Sequence, residues 1–158
     1  RIYASGTNIW TLTNYSGAPE ASATLRVGFE PKGAGFTLTG VTELVRGVAA
    51  ADVALAPDGR LFLADFGGGW SVNTNASVQV LTPKDPALRQ KGAATAALLA
   101  AGLGNHEVDA LVALLDHADR RLRQEAQFEL VKRGAGDALA KLAASQGSPV
   151  ARLHALWG

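Results

Sequence analysis

The chain has 158 residues, 15 Lys and Arg, 14 Asp and Glu and a formal net charge of +1, so its charge balance does not indicate a nucleic-acid-binding surface. It contains no cysteine, which excludes disulfides, zinc–thiolate centres, thiol nucleophiles and covalently attached haem within these residues. Its longest apolar helical stretch, 93–103, falls short of the roughly 18 residues that a membrane span needs.

Residues up to about 84 are predicted to form short β-strands separated by turns of Gly, Pro, Asn and Ser. The predicted strands are 8–13, 24–30, 35–39, 41–45, 52–56, 60–65 and 76–82. The clearest hairpin joins 52–56 to 60–65 through Pro57, Asp58 and Gly59, because Pro fixes φ, Asp bonds its own backbone and Gly accepts positive φ. Its second strand carries apolar residues on both faces, which predicts a strand buried between two layers, as in a propeller blade.

A run of three glycines, 67–69, followed by Trp70, comes directly after this hairpin. No Lys-Ser or Lys-Thr pair follows it, and neither does a change from strand to helix, so the run lacks the pattern of a phosphate-binding loop. We interpret it as an inter-strand loop whose Trp70 covers a neighbouring surface. The alternative is that it forms one wall of a central-channel pocket.

Helical patterns replace the strand patterns at Asp85-Pro86, which predicts a helix start because a capping side chain precedes a Pro at the first helical position. Ser148-Pro149 has the same pattern. The predicted helices are 86–103, a second helix capped by Asn105, a third from about Asp119 to just before Gly134, a fourth at 137–144 and a fifth from Pro149.

In two of these helices the apolar residues recur every three or four positions, so they lie on one face of the helix, and we expect that face to be buried. They are Val108, Leu111, Val112 and Leu115 in the second helix, and Leu122, Ala126 and Leu130 in the third.

The two periodicities need different layer architectures. We therefore predict an α+β chain with segregated halves. Residues 1–84 would be one or more C-terminal blades of an antiparallel β-propeller, and residues 85–158 a truncated, HEAT-like α-helical repeat array. The chain starts within a strand-like run, 1–4, and stops within a helix-like run, 151–158, so we expect it to be an internal piece of a larger protein.

Several segments carry a family resemblance. Residues 52–65, with a strand, a Pro-Asp-Gly turn and a strand ending in Asp, resemble the repeat of sugar-dehydrogenase-like β-propellers. Residues 14–22, 31–36 and 47–53 resemble one group of large secreted proteins of planctomycetes and their relatives, called membrane-bound dehydrogenase-like or haem-binding proteins. In that group a propeller precedes HEAT-type repeats, and a cytochrome-c-like domain with a CxxCH motif usually ends the chain. The strand 76–80 departs from the group's Gly-Arg-aromatic pattern.

The helical half adds to this resemblance. Residues 107–133 resemble a HEAT repeat, in which Asp119 and Arg123 match the usual Asp and Arg and Ala126 takes a small position where two helices come close. The resemblance implies a structural role for these three residues, at the turn and towards a neighbouring repeat. Residues 123–128 and 152–158 also resemble the helical region of the dehydrogenase-like group.

The resemblance implies more about the larger protein than about these residues. The parent would be a quinone- or sugar-linked oxidoreductase, with c-type haem and a quinone or Ca²⁺ as its cofactors, and it would be periplasmic or secreted. No cofactor is expected within the fragment. The expected partners are the rest of its own chain, that is, other blades and further helical repeats, and a protein partner on the helical array, with no nucleic acid and no membrane span.

No residue pattern indicates a catalytic or metal site: the three histidines, His106, His117 and His154, lie in separate predicted elements. Asp52, Asp65 and Trp70 are the candidate ligand-pocket residues. The two aspartates lie at strand ends, where propellers place channel-facing groups, and backbone capping is the alternative for both.

We therefore expect a scaffold and domain junction that is not an enzyme by itself. The alternatives are a ligand- or protein-binding module, and a calcium-dependent lactonase-like hydrolase in which aspartates supply oxygen ligands.

Overall fold

The computed structural model describes residues 2–4, 9–71 and 74–158. The chain divides into two compact units, Arg1–Arg89 and Gln90–Gly158, called here the β unit and the helical unit. Asn8, the first residue of a predicted strand, and Arg1 lie outside the described residues. The strands are β1 (Ile2–Ala4), β2 (Ile9–Asn14), β3 (Ala23–Lys32), β4 (Gly35–Arg46), β5 (Ala50–Leu55), β6 (Leu61–Asp65) and β7 (Ser77–Leu81), with a 3₁₀ turn at Pro19–Ala21. The helices are α1 (Pro86–Ala101), α2 (Val108–Leu114), α3 (Arg120–Lys132), α4 (Gly136–Ala143) and α5 (Pro149–Trp157).

The described strands of the β unit form two antiparallel sheets, ordered β1-β2-β3-β4 and β5-β6-β7. The hairpin between β5 and β6 is confirmed. Gly59 has a φ of 83°, its N–H donates to the carbonyl of Ala56 at 3.0 Å, and Asp58 Oδ1 accepts from the N–H of Arg60 at 3.0 Å. Four residues of this hairpin form a small core, and a register shift between Ala50 and Asp52 lets Ala50 and Val53 both contribute to it: Ala50, Val53, Leu61 and Leu63.

The predicted propeller is wrong, because the described strands form these two sheets and no propeller. The predicted strands 35–39 and 41–45 are one long strand, β4. Gly40 pairs with Gly28, and an irregularity between Gly28 and Phe29 lets the ladder continue past it. The prediction that β6 is buried between two layers is also wrong. Leu63 is fully buried, whereas Ala64 on the opposite face is exposed, so β6 is covered on one side only.

The HEAT-like array predicted for 85–158 stays a prediction. α2 contacts α3 and α4 contacts α5, and these two pairs contact each other through α2 with α4 and α3 with α5, although α2 and α4 are only 7 and 8 residues long. Stacked helix pairs bury their faces between neighbouring units. Here one cluster collects residues from each of these helices or the turns beside them: Leu103, Leu111, Leu115, Leu122, Ala126, Leu130, Leu139, Ala151 and Ala155.

Side-chain capping marks the starts of α1 and α3 but not those of α2, α4 and α5. Asp85 Oδ1 accepts from the N–H of Ala87 at 2.8 Å, and Asp119 Oδ1 accepts from the N–H of Arg121 at 2.8 Å. Ser148 precedes α5 without making a side-chain cap bond, and the residue that precedes α2 is Glu107, not Asn105. Proline at the first position of α5 presets its φ, so this helix begins there without the hydroxyl.

Candidate functional site

The three predicted ligand-pocket residues do not converge. Strand pairing places Asp52 opposite Ala64 and Asp65 opposite Ser77, which puts the two aspartates on opposite faces of the β5-β6-β7 sheet. Asp52 Oδ1 accepts from the N–H of Val53 at 2.8 Å, and Asp65 Oδ1 accepts from the N–H of Gly67 at 2.9 Å. Each carboxylate therefore bonds the local backbone, as in the capping alternative, and their role as ligand residues stays a prediction.

Trp70 lies at the end of the glycine run, where Tyr15 contacts the rings of both Trp70 and Phe66. The N–H of Gly69 donates to the carbonyl of Gly17 at 2.6 Å, and Tyr15 donates its hydroxyl to the carbonyl of Gly69. The rings of Tyr15 and Trp70 meet edge to face at 5.0 Å. Glycine is needed at position 17 for this approach, because a methyl group added at Gly17 would lie 2.6 Å from the indole nitrogen. Trp70 nonetheless remains 80% exposed, so it rests on the loop before Pro19 without being buried there.

A shallow cavity of about 380 Å³ lies beside Asp65 and Ser77 in the β unit. Its other walls are alanines, Phe66 and Val78. Ser77 donates its hydroxyl to Asp65 Oδ2 at 3.4 Å, so the polar groups of this cavity bond each other. Neither Asp52 nor Trp70 lines it.

A second candidate site is a groove of about 510 Å³ between α3 and α5, called here the α3/α5 groove. Its apolar lining residues are Phe128, Val150, Leu153 and Trp157. Its polar lining residues are Arg120, Arg123, Gln124, Gln127 and His154. Trp157 is 68% exposed, Phe128 54% and Leu153 47%, so large apolar side chains border this groove without being covered. Exposed apolar surface that borders a concave site indicates a binding surface.

Helical periodicity explains how the groove arises. Residues 120, 123, 124, 127 and 128 recur at three- and four-residue steps on α3, beside the core stripe of Leu122, Ala126 and Leu130. Residues 150, 153, 154 and 157 do the same on α5. Each helix thus has one face in the core and a second, adjacent face in the groove. Our sequence reasoning missed this site because it counted only the core stripe, although the second stripe was readable by the same spacing.

His154 forms the floor of the groove within a hydrogen-bonded chain. Arg123 donates its Nε–H to His154 Nε2 at 3.2 Å, so Nε2 is the unprotonated nitrogen. The proton therefore sits on Nδ1, which lies 2.8 Å from Gln127 Oε1 and donates to it. His154 is only 9% exposed, and its ring meets that of Trp157 edge to face at 5.4 Å. Both ring nitrogens are thus occupied in the neutral form.

The pKa of His154 agrees with this arrangement. Burial lowers it, since the imidazolium would lose hydration, and the neighbouring charge of Arg123 lowers it further. Protonation would also turn Nε2 into a donor that faces the Nε–H donor of Arg123. His154 therefore holds the floor together as a neutral ring and has no nitrogen available to act as a general base.

Arg123 is fixed from its other side by the turn between α2 and α3. Its Nη1 donates to the carbonyls of His117 and Ala118 at 2.7 and 3.0 Å. Burial lowers the pKa of Arg123, and the charges of Asp119 and Asp116 oppose this shift. The predicted structural residues Asp119 and Arg123 thus both bond this turn.

Asp119 is held in the ionised form by Arg121. Burial opposes its ionisation, but the side-chain and backbone hydrogen bonds from Arg121, with its charge, lower the pKa of Asp119 below the ordinary value. Ala126, the third predicted structural residue, is fully buried in the core.

The other two histidines lie apart from this floor. His117 Nδ1 accepts from the N–H of Asp119 at 3.0 Å, and the buried Nδ1 of His106 makes no hydrogen bond within the described ranges. The described residues contain no group of three or more histidine and acidic side chains placed to hold a metal ion. Likewise, none of the helices in the described ranges combines the length and the apolar character that a transmembrane span requires.

No family model, curated protein or solved structure matches this chain. The predicted relationship to the planctomycete dehydrogenase-like group therefore stays a prediction, together with the oxidoreductase role, the cofactors and the extracytoplasmic location that it implies.

Proposed function

We propose that this chain is a non-catalytic binding module that holds a segment of a protein partner in the α3/α5 groove. The observation that carries the proposal is the set of large apolar side chains, Phe128, Leu153 and Trp157, left exposed around a concave site. Aromatic side chains in such positions supply much of the binding energy at protein interfaces.

The floor of the groove supports binding and not turnover. His154, Gln127 and Arg123 satisfy one another, and Arg123 is tied in addition to two backbone carbonyls. Such a network holds side chains in one arrangement before a ligand arrives, which reduces the entropy lost on association. A general base, in contrast, needs a nitrogen lone pair directed at the substrate.

The geometry favours an α-helical segment as the bound element. α3 has 13 residues and is about 20 Å long, so its groove face offers several turns of contact along one line. An amphipathic helix lays apolar side chains from successive turns into a groove of this kind.

The proposal can be tested by amide chemical-shift mapping on the whole chain. The probe is a helical peptide as long as α3, with leucines at i, i+3, i+4 and i+7 and uncharged polar residues elsewhere. We expect shifts on α3 and α5, and a dissociation constant about fivefold larger or more when Leu153 is replaced by Ser. Leu156→Ser is the matched control, because Leu156 is exposed on the same helix but does not line the groove.

Two results would contradict the proposal. Shifts confined to the β unit would place the site elsewhere. Equal effects of Leu153→Ser and Leu156→Ser would show that the peptide adheres to any exposed leucine of α5 and does not occupy the groove.

A further inference from the structure

The polar side of the α3/α5 groove carries positive charge that nothing within it neutralises. Arg120 and Arg123 line the groove, and no Asp or Glu does. Arg120 is exposed and makes no hydrogen bond or ion pair with any residue that the structure describes. A like-charged neighbour intensifies the local field, because the charges of Arg120 and Arg123 act on each other.

The nearest carboxylates are directed elsewhere or lie outside the groove. Asp119 caps α3 and pairs with Arg121, and Glu129 pairs with Arg133 at 2.8 Å. Asp116 influences the charge of Arg123 but does not line the groove. The charge of Arg120 is therefore left for a group that comes from outside.

Two further donors lie on this side, beside Gln124, whose side-chain amide offers both a donor and an acceptor. Arg123 uses Nε and Nη1 within the floor, and its Nη2 makes no hydrogen bond in the described part of the chain. Gln127 is only 8% exposed and gives its Oε1 to His154, which leaves its amide nitrogen without an acceptor among the described residues. Neither nitrogen is a buried atom without a partner, so both are open to solvent and available to an acceptor that enters the groove.

We infer that the partner segment is acidic: an amphipathic helix with apolar anchors facing Phe128 and Trp157 and carboxylates facing Arg120 and the free edge of Arg123. This inference rests on the proposed function and names the chemistry of the partner at the same site. Carboxylate is the acceptor that matches a guanidinium fork, and charge complementarity gives an interface its selectivity.

The test compares three peptides by titration calorimetry on the whole chain. They share the leucine positions of the neutral probe and carry Glu, Gln or Lys at the flanking positions. We expect the Glu peptide to bind about tenfold more tightly than the Gln peptide, and the Lys peptide more weakly than both. Salt of about 1 M should reduce the advantage of the Glu peptide, because charges at the groove edge are screened.

A pair of variants locates the effect. Arg120→Gln should weaken the Glu peptide about three- to fivefold and leave the Gln peptide unchanged. Lys141→Gln removes the same charge from an exposed position on α4, outside the groove, and should change neither.

The outcomes separate the two proposals. If all three peptides bind equally in the groove, the protein-binding function stands and the acidic partner is refuted. Preference for the Lys peptide, or equal effects of Arg120→Gln and Lys141→Gln, would also refute it. If no peptide binds, both proposals fail. If sedimentation shows a dimer that Leu153→Ser dissociates, the occupant is a second copy of this chain and the acidic-helix inference is wrong.

Discussion

Replacing Arg123 with Gln should destabilise the helical unit much more than the same replacement at Arg120. Arg123 makes three hydrogen bonds, to the carbonyls of His117 and Ala118 and to His154 Nε2. Glutamine has a single NH₂ group where arginine has a forked guanidinium, so it cannot keep the three contacts together. Arg120 is exposed and makes none of them.

The expected loss at Arg123 follows from these contacts. A hydrogen bond from a charged donor contributes about 1.5–3 kcal/mol, and contacts made by one side chain are not additive. His154 Nε2, nearly buried, would also be left without its donor. We therefore expect Arg123→Gln to lower the free energy of unfolding by about 2–4 kcal/mol, and Arg120→Gln to change it by less than about 0.5 kcal/mol. The larger value is a substantial part of the roughly 3–10 kcal/mol expected for a unit of this size.

Urea unfolding followed by circular dichroism at 222 nm measures this difference, because the signal comes mainly from the helices. The comparison uses the transition midpoint at pH 7, with the slope checked for each variant. Equal losses for the two variants would refute the assignment of Arg123 as the residue that joins α3 to the preceding turn and to α5. A loss below 1 kcal/mol at Arg123 would show that water replaces its three contacts at little cost.

Three further changes have definite expected results. Because folding lowers the pKa of His154, its contribution to stability is complete above the ordinary pKa of about 6.5 and is lost as the pH falls below it. Urea midpoints measured from pH 7.5 to 5 should show this loss in the native chain and not in His154→Gln. Gly17→Ala and Gly47→Ala both place a methyl group on a residue with φ near +82°, but only the methyl group at position 17 would collide with the Trp70 indole. Gly17→Ala should therefore have a clearly lower melting temperature than Gly47→Ala, and equal melting temperatures would count against the loop packing. Leu122→Ala should cost about 3–5 kcal/mol in urea unfolding because its side chain is fully buried, whereas Leu156→Ala should cost less than about 0.5 kcal/mol; similar losses would mean that the core is not where the structure places it.

Neighbouring residues were sufficient to predict the structure where a single turn or helix cap decides the local conformation. The Pro57-Asp58-Gly59 turn and the Asp85 and Asp119 caps were readable because each depends on neighbouring residues alone. The core stripe of α3 was readable for a similar reason: all its members lie on one helix and recur at a fixed step.

The larger architecture was not readable from such signals. Gly40 is typical of a break between strands, yet it lies within β4, where it pairs with Gly28 on the facing strand. The apolar residues of β6 indicated burial on both faces, but how many layers cover a strand depends on distant segments. The convergence of Arg123, Gln127 and His154 required knowing that α5 packs beside α3, which neither helix specifies by itself.

Every strand pairing in the described residues joins strands that follow one another along the chain. No strand there has to wait for a partner made much later, so the entropy lost in closing each loop is small. Proteins dominated by such local pairings fold faster than those whose first and last strands must meet. We therefore expect the sheets to assemble in the order in which the ribosome releases them, each hairpin serving as the template for the next strand.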